Sequence, residues 1–303
     1  MIVVVCPGQG SQTPGFLAPW LELDGAAERL AAFSEAAQVD LVAHGTESDA
    51  DTIRDTRIAQ PLIVAASVLA WEHLTSGGAR PAGVAGHSVG EIAALVAAGV
   101  IDAATGMRLV GVRGRAMADA AALAETGMSA VVGGVEEQVL EALAANDLTP
   151  ANYNGAGQIV AAGELAGLGA LAAQAPRGSR VIPLQVAGAF HTRFMAPAQE
   201  QLQSAVDSID AVADPQLALW TNSDGGRLDS GARALELIVR QVSSPVRWDL
   251  CMASFAEQGV TGIIELAPAG ALTGLAKRAL RGVPSVAVKT PDDLAAALEL
   301  LAA

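Results

Sequence analysis

Lysine is nearly missing from this chain of 303 residues: Lys277 and Lys289 are the only two, and the formal net charge is −14. A shortage of positive charge on this scale excludes general nucleic-acid binding, which needs a basic surface to neutralise phosphates. Cysteine is as scarce. Cys6 and Cys251 stand far apart, without the paired spacing of a zinc site or a redox dithiol, and no metal is expected. Long hydrophobic runs are lacking too. "IAALVAAGVI" falls well below the roughly 18 apolar residues that span a bilayer, so no membrane partner is expected. The apolar run at the N-terminus is too short for a secretory signal and has no basic residues ahead of it. These absences make a reducing cytoplasm the expected location.

Apolar residues are plentiful. They make up 51% of the chain, enough to bury a sizeable core. The length suits one large domain, or a large domain carrying a smaller one. Short β-branched runs alternate with Ala/Leu-rich helical stretches, the pattern of an α/β protein with a mostly parallel sheet. Strands are expected at Ile2–Cys6, Gly83–Ala85, Leu217–Thr221, Gly262–Leu266 and Ser285–Val288. Between about Gly127 and Ala187 the order changes. "MSAVVGG", "PANYNG", "QIVAAG" and "SRVIPLQV" read as strands, with "EEQVLEALAAN" and "ELAGLGALAAQ" as helices among them. The resulting β-α-β-β-α-β order is ferredoxin-like. The expected division is therefore a core formed by residues 1–126 and 188–303, with residues 127–187 inserted as a small subdomain.

"AGVAGHSVGEIAALVAAGV" holds Gly86-His87-Ser88-Val89-Gly90, a G-x-S-x-G match that follows a strand and opens a helix. That is the setting of a nucleophile elbow. The glycines allow the tight turn, and the helix N-terminus aims N–H groups where negative charge builds during acyl transfer. An ordinary serine in a glycine-rich turn is the plainer reading.

A serine nucleophile needs a base. Among four histidines, His87 adjoins Ser88 and would project elsewhere, while His44 and His73 read as surface residues. Elimination leaves His191, in "VAGAFHTRFMAP". Asp102 and Asp119 are conceivable third members, though neither sits in a recognisable motif.

"VVVCPGQGSQTPG" opens like a dinucleotide fingerprint. Thr13 stands where its third glycine or alanine belongs, Pro14 follows, and no acidic residue closes a second strand about 20 residues on. The alternatives are a glycine turn after an edge strand, or a loop that brings the Gln9 N–H beside Ser88 as an oxyanion donor. In "GMRLVGVRGRAMADAAA", Arg113 either snorkels to solvent or offers a buried fork to a substrate carboxylate.

Taken in order, "PGQGSQ", "GHSVGE", "RGRAM", "GMSAV", "NYNGAGQIVAAG", "GAFH", "SPVRW" and "GALTGLAKR" resemble the malonyl-CoA:acyl-carrier-protein transacylase family, which includes polyketide synthase acyltransferase domains. The resemblance runs nearly end to end. It implies an α/β-hydrolase-like core with a ferredoxin-like insert. The activity it implies is malonyl transfer from a coenzyme A thioester to the phosphopantetheine of acyl carrier protein, with no cofactor.

Position by position, the resemblance implies Ser88 as nucleophile and His191 as base. Gln9 and Val89 become oxyanion donors, Arg113 the carboxylate partner, and Gln241 the residue whose backbone carbonyl orients the histidine. Met117, Asn154, Gln158 and Val186 match pocket positions, and Phe190 in "GAFH" resembles the residue that crowds an α-methyl group in malonyl-selective members. "LAKRALRG", with Lys277 and Arg278, and Arg193 are expected to receive an acidic carrier protein, the enzyme itself acting as a monomer. The rival expectations are a serine esterase or thioesterase, a non-catalytic carrier-protein-binding homologue and, more distantly, a dinucleotide oxidoreductase.

Overall fold

Valine and isoleucine are concentrated in the central strands Ile2–Cys6 and Gly262–Glu265 because branched side chains fit a pleated surface buried on both faces. The computed structural model describes residues Met1–Ala303. Its strands are β1 (Ile2–Cys6), β2 (Gly83–Gly86), β3 (Thr126–Gly133), β4 (Thr149–Gly155), β5 (Gln158–Glu164), β6 (Ser179–Pro183), β7 (Ala218–Trp220), β8 (Arg227–Leu228), β9 (Val246–Arg247), β10 (Gly262–Glu265) and β11 (Ser285–Ala287).

The larger sheet runs β11-β10-β1-β2-β7-β8. All its pairings are parallel except β7 with β8. β1 is interior rather than an edge strand, which corrects one reading of the opening loop. Its side chains alternate between two cores. Val4 and Cys6 pack with the helices Thr56–Thr75, Gly90–Ala97 and Ala103–Ala121. Val3 and Val5 face Trp220, Trp248 and Phe255. Each such fully buried aliphatic side chain contributes about 1.5–3 kcal/mol. By length and composition alone the Thr56–Thr75 helix could cross a membrane, but 72% of its apolar window is buried inside the protein.

The second sheet runs β6-β3-β5-β4-β9. Its first four strands are antiparallel and follow the ferredoxin-like order. Val131, Ile159 and Ala161 form a separate small core with Val139, Leu143, Leu168 and Leu171 of the helices Glu136–Ala145 and Leu165–Ala173. β9, too short to read from sequence, adds to this sheet in parallel with β4 through Asn152 opposite Val246 and Tyr153 opposite Arg247. The fold is an α/β-hydrolase-like core carrying a ferredoxin-like subdomain.

Candidate active site

β1 and β2 are neighbours with Cys6 opposite Gly86, so the segments that follow them leave the sheet side by side. The His87 N–H donates to the Cys6 carbonyl at 2.9 Å and locks that exit. The glycines here are steric necessities. A Cβ on Gly8 would lie 2.9 Å from His87 Nδ1 and 2.9 Å from its carbonyl oxygen. One on Gly86 would overlap the Gly90–Glu91 backbone, and one on Gly90 the Cys6 carbonyl. Between them Ser88 takes φ = +53°, left-handed backbone that side chains other than glycine rarely adopt. The turn holds because Asn222 grips it: its Oδ1 accepts from the Ser88 N–H at 2.7 Å while its Nδ2 donates to the Gly86 carbonyl at 2.7 Å.

His191 comes from the segment after β6, and it too is left-handed, at φ = +61°. Its Nε2 lies 2.7 Å from Ser88 Oγ, and its Nδ1 lies 2.8 Å from the Gln241 carbonyl oxygen. A carbonyl only accepts, so Nδ1 carries the proton and Nε2 presents its lone pair to the serine hydroxyl. Burial, with the Arg113 charge second, pushes the His191 pKa down to about 3. The imidazole is therefore neutral at pH 7. Neither acid considered as a third member is here. Asp102 caps the Ala103–Ala121 helix, and Asp119 pairs with Arg57 at 2.7 Å.

Arg113 is buried, only 1% exposed, which decides against a snorkelling side chain. Its Nη1 donates to Gln60 Oε1 at 2.7 Å and its Nη2 to Gln241 Oε1 at 2.8 Å, with Ser88 Oγ 3.4 Å from Nη2. Nε has no partner. Burial lowers its pKa to about 10, so the guanidinium stays charged. No carboxylate touches it. The carboxylate that acts on it through space is Glu91, which accepts from the Gln241 side-chain amide and, at 2.7 Å, from the Asn222 N–H. Burial raises the Glu91 pKa to about 7.

A cavity of about 160 Å³ opens on Ser88 and His191, lined among others by Gln9, Val89, Met117, Asn154, Val186 and Phe190. Neither the Gln9 nor the Val89 main-chain N–H donates to an acceptor within the protein. Gln158 is not on the cavity wall. It stands one step back, its Oε1 accepting from Asn154 Nδ2 at 2.9 Å. Of the remaining histidines, His87 is half-buried with its Nε2 2.9 Å from Asn154 Oδ1, and desolvation lowers its pKa. His44 and His73 are half-buried rather than surface residues, because their Nδ1 atoms bond to Ser48 Oγ and the Leu69 carbonyl. Lys277 and Arg278 are exposed in the last turn of the Ala271–Ala279 helix, and Arg193 pairs with Asp147 at 3.1 Å.

Gln60, Glu91 and Asn222 are the site residues that the sequence reading missed. Only Glu91 carried any signal, inside "GHSVGE".

The elbow and its imidazole place the chain among serine-dependent enzymes of acyl transfer. The acyl transferase domain family matches residues 3–292, and the chain belongs to that family. The malonyl CoA-acyl carrier protein transacylase of Mycobacterium tuberculosis (strain ATCC 25618 / H37Rv) is 53% identical over 297 residues, 97% of this chain and 98% of that one. Its counterpart in Escherichia coli (strain K12) is 36% identical over 311 residues, covering 98% of each. A crystal structure of MCAT from Mycobacterium tuberculosis superposes with a TM-score of 0.95 at 52% identity, over 100% of both chains. A malonyl-transacylase solved in complex with its type II polyketide synthase acyl-carrier protein gives a TM-score of 0.90 at 33% identity, over 99% of both.

Proposed function

We propose that this enzyme moves a malonyl group from malonyl-CoA to the phosphopantetheine thiol of an acyl carrier protein through an ester on Ser88. His191 Nε2 takes the Ser88 proton as Oγ attacks the thioester carbonyl. The resulting oxyanion is held by the Gln9 and Val89 N–H groups, each worth about 2.7–4 kcal/mol of barrier. The tetrahedral centre collapses, the carbon–sulfur bond breaks, and His191 returns the proton to the coenzyme A sulfur. The carrier thiol then gives its proton to His191 and attacks the ester; as the carbon–oxygen bond breaks, His191 passes that proton to Ser88 Oγ and the free serine is restored. Arg113 binds the free malonyl carboxylate, and Gln241 holds the imidazole through its carbonyl. Met117, Asn154, Val186 and Phe190 shape the acyl pocket, with Gln158 acting through Asn154.

The observation that carries this reading is the buried Arg113 guanidinium, 3.4 Å from Ser88 Oγ and free of any protein carboxylate. A general esterase has no use for a cation there, whereas a dicarboxylic acyl group does. Residues 1–126 and 188–303 form the catalytic core in this reading, and residues 127–187 close over its acyl pocket. The site is assembled within one chain, in keeping with a monomer. The buried Thr56–Thr75 helix and two free cysteines fit a cytoplasmic enzyme. Lys277, Arg278 and Arg193 are the docking candidates for the carrier protein.

Intact mass measurement after mixing with malonyl-CoA tests the core of the proposal. The wild type gains one malonyl group, Ser88→Ala gains none, and added holo carrier protein discharges the adduct onto its own mass. No adduct, or discharge to water alone, overturns it.

A further inference from the structure

We propose that Glu91 is a positioning residue for substrate selection: its carboxylate turns the Gln241 amide so that a neutral oxygen, not a charge, holds Arg113 ready for the acyl carboxylate. This rests on the function proposed above and extends it to a residue outside the acyl pocket.

The donor and acceptor inventory dictates the orientation. Glu91 is buried, and above its raised pKa of about 7 it is a carboxylate that can only accept. It receives the Asn222 N–H on Oε1 and the Gln241 Nε2 on Oε2. With Nε2 committed, Gln241 has one end left, Oε1, and that end accepts from Arg113 Nη2 at 2.8 Å. Turning the amide over would set its oxygen against the carboxylate and its NH₂ against the guanidinium, two like-against-like contacts at once. Gln60 Oε1 closes the other side of the fork. The guanidinium is thus fixed by two amide oxygens, while the compensating negative charge stays one residue away.

The indirect link matters. A carboxylate bonded directly to Arg113 would compete with the substrate for the same donors. Through the amide, Glu91 still helps keep Arg113 charged but leaves it unpaired. Glu91 also borders a different cavity, of about 420 Å³, shared with Arg233, Arg240 and the outer side of Gln241. It is absent from the wall of the acyl pocket, so it acts through its neighbours.

The test compares steady-state acyl transfer by the full-length enzyme from malonyl-CoA and acetyl-CoA. In Glu91→Gln the new amide keeps its oxygen on the Asn222 N–H and turns its NH₂ toward Gln241, which must flip and present NH₂ to Arg113. The malonyl-to-acetyl ratio of kcat/KM is expected to fall about tenfold or more, the range of one lost charge-assisted bond. The loss should lie in KM for malonyl-CoA, with acetyl transfer changing far less. The double variant Glu91→Gln/Gln241→Glu restores complementary partners, so its melting temperature returns toward wild type. Its malonyl preference stays low, because a carboxylate now pairs with Arg113 directly; this variant carries the test if Glu91→Gln folds poorly. Equal losses with both donors, or an unchanged ratio in a folded variant, overturn the proposal. A wild type that forms no malonyl adduct overturns the functional reading instead, so the two failures are distinguishable.

Discussion

His191 donates its Nδ1–H to the Gln241 carbonyl across 2.8 Å, and the side-chain oxygen of that same Gln241 accepts from Arg113 at 2.8 Å. One residue therefore fixes the tautomer of the base and the position of the cation. The two are also coupled electrostatically, because Arg113 is the second cause, after burial, of the depressed His191 pKa of about 3. Replacing Arg113 by methionine removes that repulsion and leaves the desolvation. The imidazole pKa should then rise, yet stay below its ordinary 6.5. A histidine NMR titration of both proteins measures this directly. An unmoved His191 resonance would mean that the guanidinium does not act on the base.

Removing the charge has a second consequence. With Arg113→Ala, malonyl loses its proposed partner and acetyl does not. A hydrogen bond to a charged group is worth about 1.5–3 kcal/mol, so malonyl transfer should fall about tenfold to a hundredfold relative to acetyl transfer. Stopped-flow acylation with the two donors reads the ratio. A uniform loss would assign Arg113 to holding the Ser88 loop instead.

Glycine substitutions separate geometry from composition. Gly90 admits no Cβ, because the Cys6 carbonyl stands in the way, whereas an exposed Gly169 in the Leu165–Ala173 helix has nothing within 4 Å. Gly90→Ala must displace backbone and should cost at least 1–3 kcal/mol, along with acylation. Gly169→Ala should stabilise by about 0.5–1 kcal/mol, since glycine weakens a helix interior. Urea denaturation of the two variants gives opposite signs of change if the elbow is packed as described.

The elbow was legible in the sequence for the same reason that it tolerates no change. Tight turns and close approaches leave glycines at fixed spacing around Ser88, and the strand order of the insert follows from its periodicity. The layer behind the site left no such trace. Glu91, in the first helical turn, reads as an acid favoured by the helix dipole. Gln60 is one polar residue before a proline in an apolar helix. Asn222 follows a three-residue strand, and only its side-chain bonds to Ser88 and Gly86 reveal what it does. Arg113 was undecided on spacing alone, because helical period cannot separate a snorkelling arginine from a buried one.

Phe190 sits beside His191 on the cavity wall and is 5% exposed, with Met117 and Val186 sharing that wall. In the proposed acyl site, a cavity of about 160 Å³, its ring would compete with any α-substituent on the acyl group. Phe190→Leu should relax discrimination against methylmalonyl-CoA by about tenfold, within the 1–3 kcal/mol that one methyl group commands. Competition between the two thioesters, read by adduct mass, measures it. If methylmalonyl is excluded equally in both proteins, the filter lies elsewhere on the wall.

Lys277 and Arg278 are half of the four cations in the segment 277–289, and neither takes part in an ion pair, whereas Arg193 is already engaged by Asp147. Unpaired cations on a chain with a net charge of −14 are where an acidic carrier protein meets least repulsion. Reversing both to glutamate should raise the apparent KM for the carrier protein about tenfold and leave that for malonyl-CoA nearly unchanged. Exposed pairs contribute about 0.2–1 kcal/mol each, and reversal adds repulsion to the loss. The effect must shrink as salt rises, because screening at 0.15 M ionic strength acts over about 8 Å. A KM insensitive to both reversal and salt would move docking away from this helix, leaving Arg193 and the face around it as the place to test next.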